Sequence, residues 1–100
     1  MAAGKHSTTG VLTTMRNDRR SHLETLQGAV AARRKLACDV VERRGVAWVS
    51  VVGRSGRTVE VGCDYLRSGW WFTWADGRLI APVRDVRDVV DRLARELEDV

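Results

Sequence analysis

The sequence predicts an α+β fold: a long N-terminal helix, an antiparallel meander of three to four strands and a C-terminal helix, with both helices on one sheet face. Three observations predict it. Apolar residues recur at spacings of three and four on either side of a central stretch, from Leu23 to Val41 and from Val83 to Leu97. Between them lie short runs rich in β-branched and aromatic residues. Those runs are separated by Gly-containing turn clusters, Gly53 to Arg57 and Asp76-Gly77.

Residues 1–17 show no sustained periodicity and are read as a flexible tail, which leaves 18–100 as a single α+β domain. Ser21 and Glu24 have the spacing of a capping box at the start of the first helix. Leu23, Leu26, Val30, Ala37, Val40 and Val41 then supply one apolar face. Arg43 and Arg44 suit the negative end of the helix dipole, and Gly45 suits a left-handed stop. The predicted helix therefore runs to about residue 44.

Val46 to Val52 reads as the first strand and Thr58 to Cys63 as the second. With Ser55-Gly56 as a two-residue turn, Val52 faces Val59, Ser50 faces Val61 and Trp48 faces Cys63. Asp64 to Gly69 is expected to be a loop, and Trp70 to Trp74 the third strand. Asp76-Gly77 then returns the chain as Arg78 to Ala81, pairing Trp74 with Leu79 and Phe72 with Ala81. Pro82 ends the sheet and can open the last helix, where Val83, Val86, Val89, Val90, Leu93 and Leu97 form the buried stripe. Arg84–Asp88, Arg87–Asp91 and Arg92–Glu96 fall at i,i+4 on the solvated side.

Strand alternation sends Trp70 and Trp71 to opposite faces. In the register above, Trp48, Val52, Val61, Cys63 and Phe72 lie under the helices. Val49, Val51, Trp71, Thr73 and Ile80 then lie on the uncovered face, which is more apolar than solvent contact alone requires. Those five residues are the candidate interface, for a second copy or for another protein.

Charge offers a second reading. Residues 1–57 carry eleven Lys/Arg and four Asp/Glu, a net of +7, whereas residues 58–100 carry six and nine, a net of −3. Such polarity suits an anionic partner or head-to-tail association. Helix, antiparallel sheet and closing helix over residues 20–98 resemble the topology of the double-stranded RNA-binding domain. That resemblance implies groove contacts by the first helix, with Arg33, Arg34 and Lys35, and by the first strand turn, with Arg54 and Arg57, which makes these five the candidates for contact with nucleic acid. It departs where Arg84-Asp85-Val86-Arg87-Asp88 interleaves acids with bases at the last helix, and in the strand at Leu79-Ile80. The stretch from Trp70 to Pro82 resembles small actinobacterial proteins of unassigned function, a likeness that implies no activity.

No chemistry gathers in the sequence. The serines lack a plausible His and acid partner, and Asp64, Asp76 and Glu60 are dispersed. Gly53 to Arg57 lacks the spacing of a phosphate-binding loop and joins two strands. Cys38 and Cys63 read as small buried hydrophobes, and with His6 and His22 they show no metal-ligand spacing. Neither a membrane span nor a secretory h-region is present in the 100 residues. The expectation is a cytoplasmic, non-catalytic interaction module without cofactor or metal, self-associating as a regulatory or accessory protein, with nucleic-acid binding as the alternative.

Overall fold

A computed structural model describes residues 3–33 and 35–98, and the side chains of 14–33 and 35–97. The order is α1 (Ala3–Ala31), β1 (Ala37–Arg43), β2 (Val46–Val52), β3 (Thr58–Leu66), β4 (Gly69–Trp74) and β5 (Leu79–Pro82). A 3-10 turn over Val83–Asp85 leads into α2 (Val86–Glu98). The five strands form one antiparallel sheet in sequence order. This is the expected α+β class, with one strand more than expected.

The additional strand replaces the second half of the expected helix. α1 ends at Ala31, and Ala37 to Arg43 pair with Val46 to Val52 along their whole length. Arg44 (φ 53°) and Gly45 (φ 79°) both adopt left-handed backbone, the geometry of a two-residue hairpin turn. Residues that suit a helix stop suit this turn equally, because both need positive φ. Val40 and Val41 are β-branched and gain cross-strand neighbours in Val49 and Trp48. The backbone of α1 begins at Ala3, inside the stretch read as a tail; the side chains of 1–13 lie outside the described residues.

A second correction concerns register. The β2–β3 turn has three residues, not two: Gly53 N–H donates to Arg57 C=O (2.9 Å), Gly56 N–H to Gly53 C=O (3.0 Å), and Gly56 takes φ 89°. Val51 consequently faces Val59 and Val49 faces Val61. A shift of one residue turns every β2 side chain to the other face. The β4–β5 turn repeats the pattern, with Trp74 N–H donating to Arg78 C=O (2.8 Å) and Gly77 at φ 92°. Phe72 faces Ala81 as expected, but Thr73 rather than Trp74 faces Leu79. β3 and β4 are longer than expected and meet at Arg67-Ser68, a tight turn with both φ positive, where a loop from Asp64 was expected.

Both helices lie on one sheet face. α1 packs on β1, β2 and β3, α2 packs on β3 and β5, and the helices touch each other. Leu23, Leu26 and Val30 from α1 and Val89, Leu93 and Leu97 from α2 bury against Val49, Val51, Val61 and Phe72. Polar contacts extend the grip of α1: Arg19 Nε donates to Cys63 C=O (2.8 Å), and its guanidinium lies 5.5 Å from the Trp70 ring centre. Arg20 pairs with Glu42 on β1.

Candidate interaction surface

The alternation set by this register gives the uncovered face its residues. β1 contributes Asp39, Val41 and Arg43; β2 contributes Val46, Trp48, Ser50 and Val52; β3 contributes Glu60, Gly62, Asp64 and Leu66; β4 contributes Trp71 and Thr73. No helix packs on this side among the described residues. Val46 is 60% exposed and Leu66 41%, both high for aliphatic side chains. Together with Val41, Trp48 and Trp71 they make an apolar surface interrupted by carboxylates at Asp39, Glu60 and Asp64 and by the cation of Arg43, with Arg19 of α1 reaching Asp64 (3.8 Å).

The five candidates of the first reading separate. Val49 and Val51 are fully buried beneath the helices, which removes them from any surface. Ile80 is also in the core: Phe72 faces Ala81 and Thr73 faces Leu79, so Ile80 is the extra residue of a bulge and its side chain is re-aimed. Thr73 stays on the uncovered face opposite Gly62 but is only 3% exposed. Trp71 remains there half-buried, its indole N–H donating to Leu66 C=O (3.2 Å). Trp48, Val41, Val46 and Leu66 take the vacated places. The signal for Trp48 was the glycine at the third turn position, which marks a three-residue hairpin loop as well as a two-residue one.

Trp48 has a further peculiarity: its indole nitrogen is buried without a hydrogen-bond partner. It borders a cavity of about 470 Å³ also lined by Glu60, Gly62, Asp64, Thr73 and Trp74. The cavity exists because β2 and β3 diverge. Their pairing ends at Val49–Val61, and the next carbonyl turned toward β2, that of Cys63, accepts from Arg19 instead. A larger hollow of about 710 Å³ lies beside the β4–β5 turn, with Glu60, Asp76, Arg78 and Glu96 at its walls. Asp76 there is committed to Arg78: its carboxylate accepts from the backbone N–H (3.0 Å) and from Nε (2.7 Å), and the backbone bond holds its pKa below the usual value.

The candidate cations gather at one end of the sheet, since Ala37 stands opposite Val52. Lys35 and Arg54 are exposed there. Arg33 pairs with Asp91 (3.1 Å), and Arg57 donates to Glu96 C=O (3.1 Å) in the last turn of α2, where a cation suits the helix dipole. Arg34 lies outside the described residues.

Burial pushes the Cys38 thiol up to about 11 and the Cys63 thiol up to about 12, so both are protonated at neutral pH. Among the described residues no three His, Cys, Asp or Glu gather as metal ligands, and no helix is long and apolar enough to cross a membrane. Comparison with family models, with curated proteins and with solved structures finds no match.

Proposed function

We propose that this chain is a non-catalytic interaction module that works as a self-associated assembly, an accessory or regulatory protein whose contact residues lie on the side of the sheet that no helix covers. One observation carries the reading: that side presents Val41, Val46, Trp48, Leu66 and Trp71 together, two of them more than two-fifths exposed. Aromatic and aliphatic side chains grouped on a surface are what a buried protein–protein contact uses. Both signs of charge are present on it, as a self-complementary surface requires. The protonated thiols and the dispersed carboxylates support a binding role over a catalytic one.

Nucleic-acid binding is the weaker reading. Two of its five cations are engaged within the molecule, and the uncovered face carries more carboxylates than cations. Binding of duplex RNA or DNA that weakens steeply with salt would favour it. Light scattering on the full chain tests the leading reading. The expected mass is twice the 11.2 kDa of one chain. A single-chain mass at every concentration and salt overturns self-association.

A further inference from the structure

The two edges of the sheet are built differently. β5 has four residues, pairs with β4 across a bulge and ends in Pro82, three features that discourage pairing with another chain. β1 has seven residues, contains neither Gly nor Pro and pairs with β2 without interruption. Its other side faces no strand. The two-residue turn at Arg44-Gly45 fixes which backbone groups point there. Arg43 and Val46 flank that turn and exchange both hydrogen bonds, and the antiparallel pattern alternates from them. The N–H and C=O groups of Cys38, Val40 and Glu42 therefore point outward. Gln27 Nε2 donates to the Cys38 carbonyl (3.3 Å), covering the start of the edge. Among the described residues no hydrogen bond reaches the outward backbone groups of Val40 and Glu42.

Building on the self-association proposed above, we infer that β1 pairs antiparallel with β1 of a second copy about a two-fold axis at Val41, joining two five-stranded sheets into one of ten strands. The side chains select this register. Asp39, Val41 and Arg43 share the uncovered face. Centred on Val41, each Asp39 faces Arg43 of the other copy, and the two Val41 side chains meet on the axis. Val40 then exchanges backbone bonds with Glu42 of the other copy, twice. Centring on Val40 would set Asp39 against Val41 and call on the Cys38 carbonyl that Gln27 occupies. Centring on Asp39 would oppose two carboxylates. Glu42, on the helix side, has its charge balanced by Arg20 of its own chain. Because Trp48 stands beside Val41, pairing creates a strip of Trp48, Val41, Val41 and Trp48 across the junction, with all four helices on the opposite side.

Disulfide trapping with charge reversal tests the arrangement on the full chain. Val41 and its symmetry mate form a pair that exchanges no hydrogen bonds, with Cα atoms roughly 4.5 Å apart, within reach of a disulfide. In a Cys38→Ser background, Val41→Cys is expected to cross-link most of the protein under mild oxidation. Val46→Cys, on the same face and 60% exposed, is expected to leave it uncross-linked. Asp39→Arg or Arg43→Asp alone should weaken the dimer about tenfold, since each turns two attractive cross-strand pairs into repulsive ones. The double variant should restore it. A dimeric wild type with no cross-link at Val41 and no response to charge reversal overturns the edge pairing while leaving self-association standing. A wild type of single-chain mass overturns both.

Discussion

The two faces of this sheet differ less in composition than in what covers them. β2 supplies both: Val49 and Val51 are fully buried under α1 and α2, whereas Val46, Trp48 and Val52 alternate with them on the side without a helix. Each face carries tryptophan and β-branched residues. Apolar character alone therefore does not identify the core. The decision rests with backbone geometry at the β2–β3 turn, where one residue more or less exchanges the two sets. A face whose composition would suit a core, yet which faces outward, is also the natural place for a partner, and the proposed function follows from that contrast.

The largest expected effect comes from exchanging the faces' chemistry at adjacent positions. Val51→Asp places a carboxylate in the fully buried apolar cluster between the sheet and the helices. It should cost roughly 4 kcal/mol or more, a large part of a small domain's stability. Val52→Asp, next in the chain and on the uncovered side, should cost about 1 kcal/mol. Urea unfolding followed by circular dichroism separates the two. The reverse order of severity would restore the two-residue turn and put Val52 in the core.

A smaller effect distinguishes the faces at two glycines, Gly53 just past β2 and Gly62 within β3. A Cβ on Gly53 would stand 2.9 Å from Leu97 Cβ and 3.0 Å from its carbonyl oxygen, inside the contact between sheet and α2. Neither neighbour is the mobile end of a side chain, so Gly53→Ala should destabilise by about 1–3 kcal/mol. On the uncovered face, a Cβ on Gly62 would meet only Thr73 Oγ1, at 3.0 Å. That hydroxyl can rotate away, and Gly62→Ala should stay within about 1 kcal/mol of the wild type. Equal losses at both sites would mean that Thr73 is held as rigidly as Leu97.

The fold class and the order of the last four strands were legible in the sequence because they rest on patterns spread over whole elements. Val86 to Leu97 shows its stripe at helical spacing: Val89, Val90, Leu93 and Leu97 are buried as predicted, Val83 and Val86 are half-buried, and Ala94 is buried as well. What failed were readings that rested on a single turn residue. Gly45 can end a helix or close a hairpin, and both use left-handed backbone, so residues 37–44 could be read as helix. Gly56 can be the second residue of a two-residue turn or the third of a longer one. The backbone bond from Gly53 to Arg57 shows which, and the Arg57 side chain is held by the Glu96 carbonyl, a contact that spans 39 residues and leaves no local trace. The candidate surface inherited the error at Val49 and Val51, while Trp71, fixed by alternation against Phe72, kept its place. The bulge that buries Ile80 likewise has no glycine within β5 to mark it.

The smallest effect concerns the two thiols, both on the helix-covered face. Burial is the main cause of each raised pKa, about 11 for Cys38 and about 12 for Cys63, against an ordinary 9.0. Asp39 adds to the first; for the second, Arg19 partly offsets burial and Asp64 adds to it. Below pH 9 both thiols keep their protons in the folded and unfolded chains alike, and they give stability no pH dependence. Above pH 9 the unfolded chain loses them first and binds fewer protons, so their contribution falls as pH rises through the window from 9 to about 12. Unfolding measured on either side of pH 9 should show this slope in the wild type and a shallower one in Cys63→Ala. A thiol introduced on the exposed side, as Val46→Cys, meets no comparable burial and should leave the slope unchanged. If Cys63→Ala kept the full slope, Cys63 would be titrating as a solvated thiol, and the helix-covered face would be open to water beside Arg19.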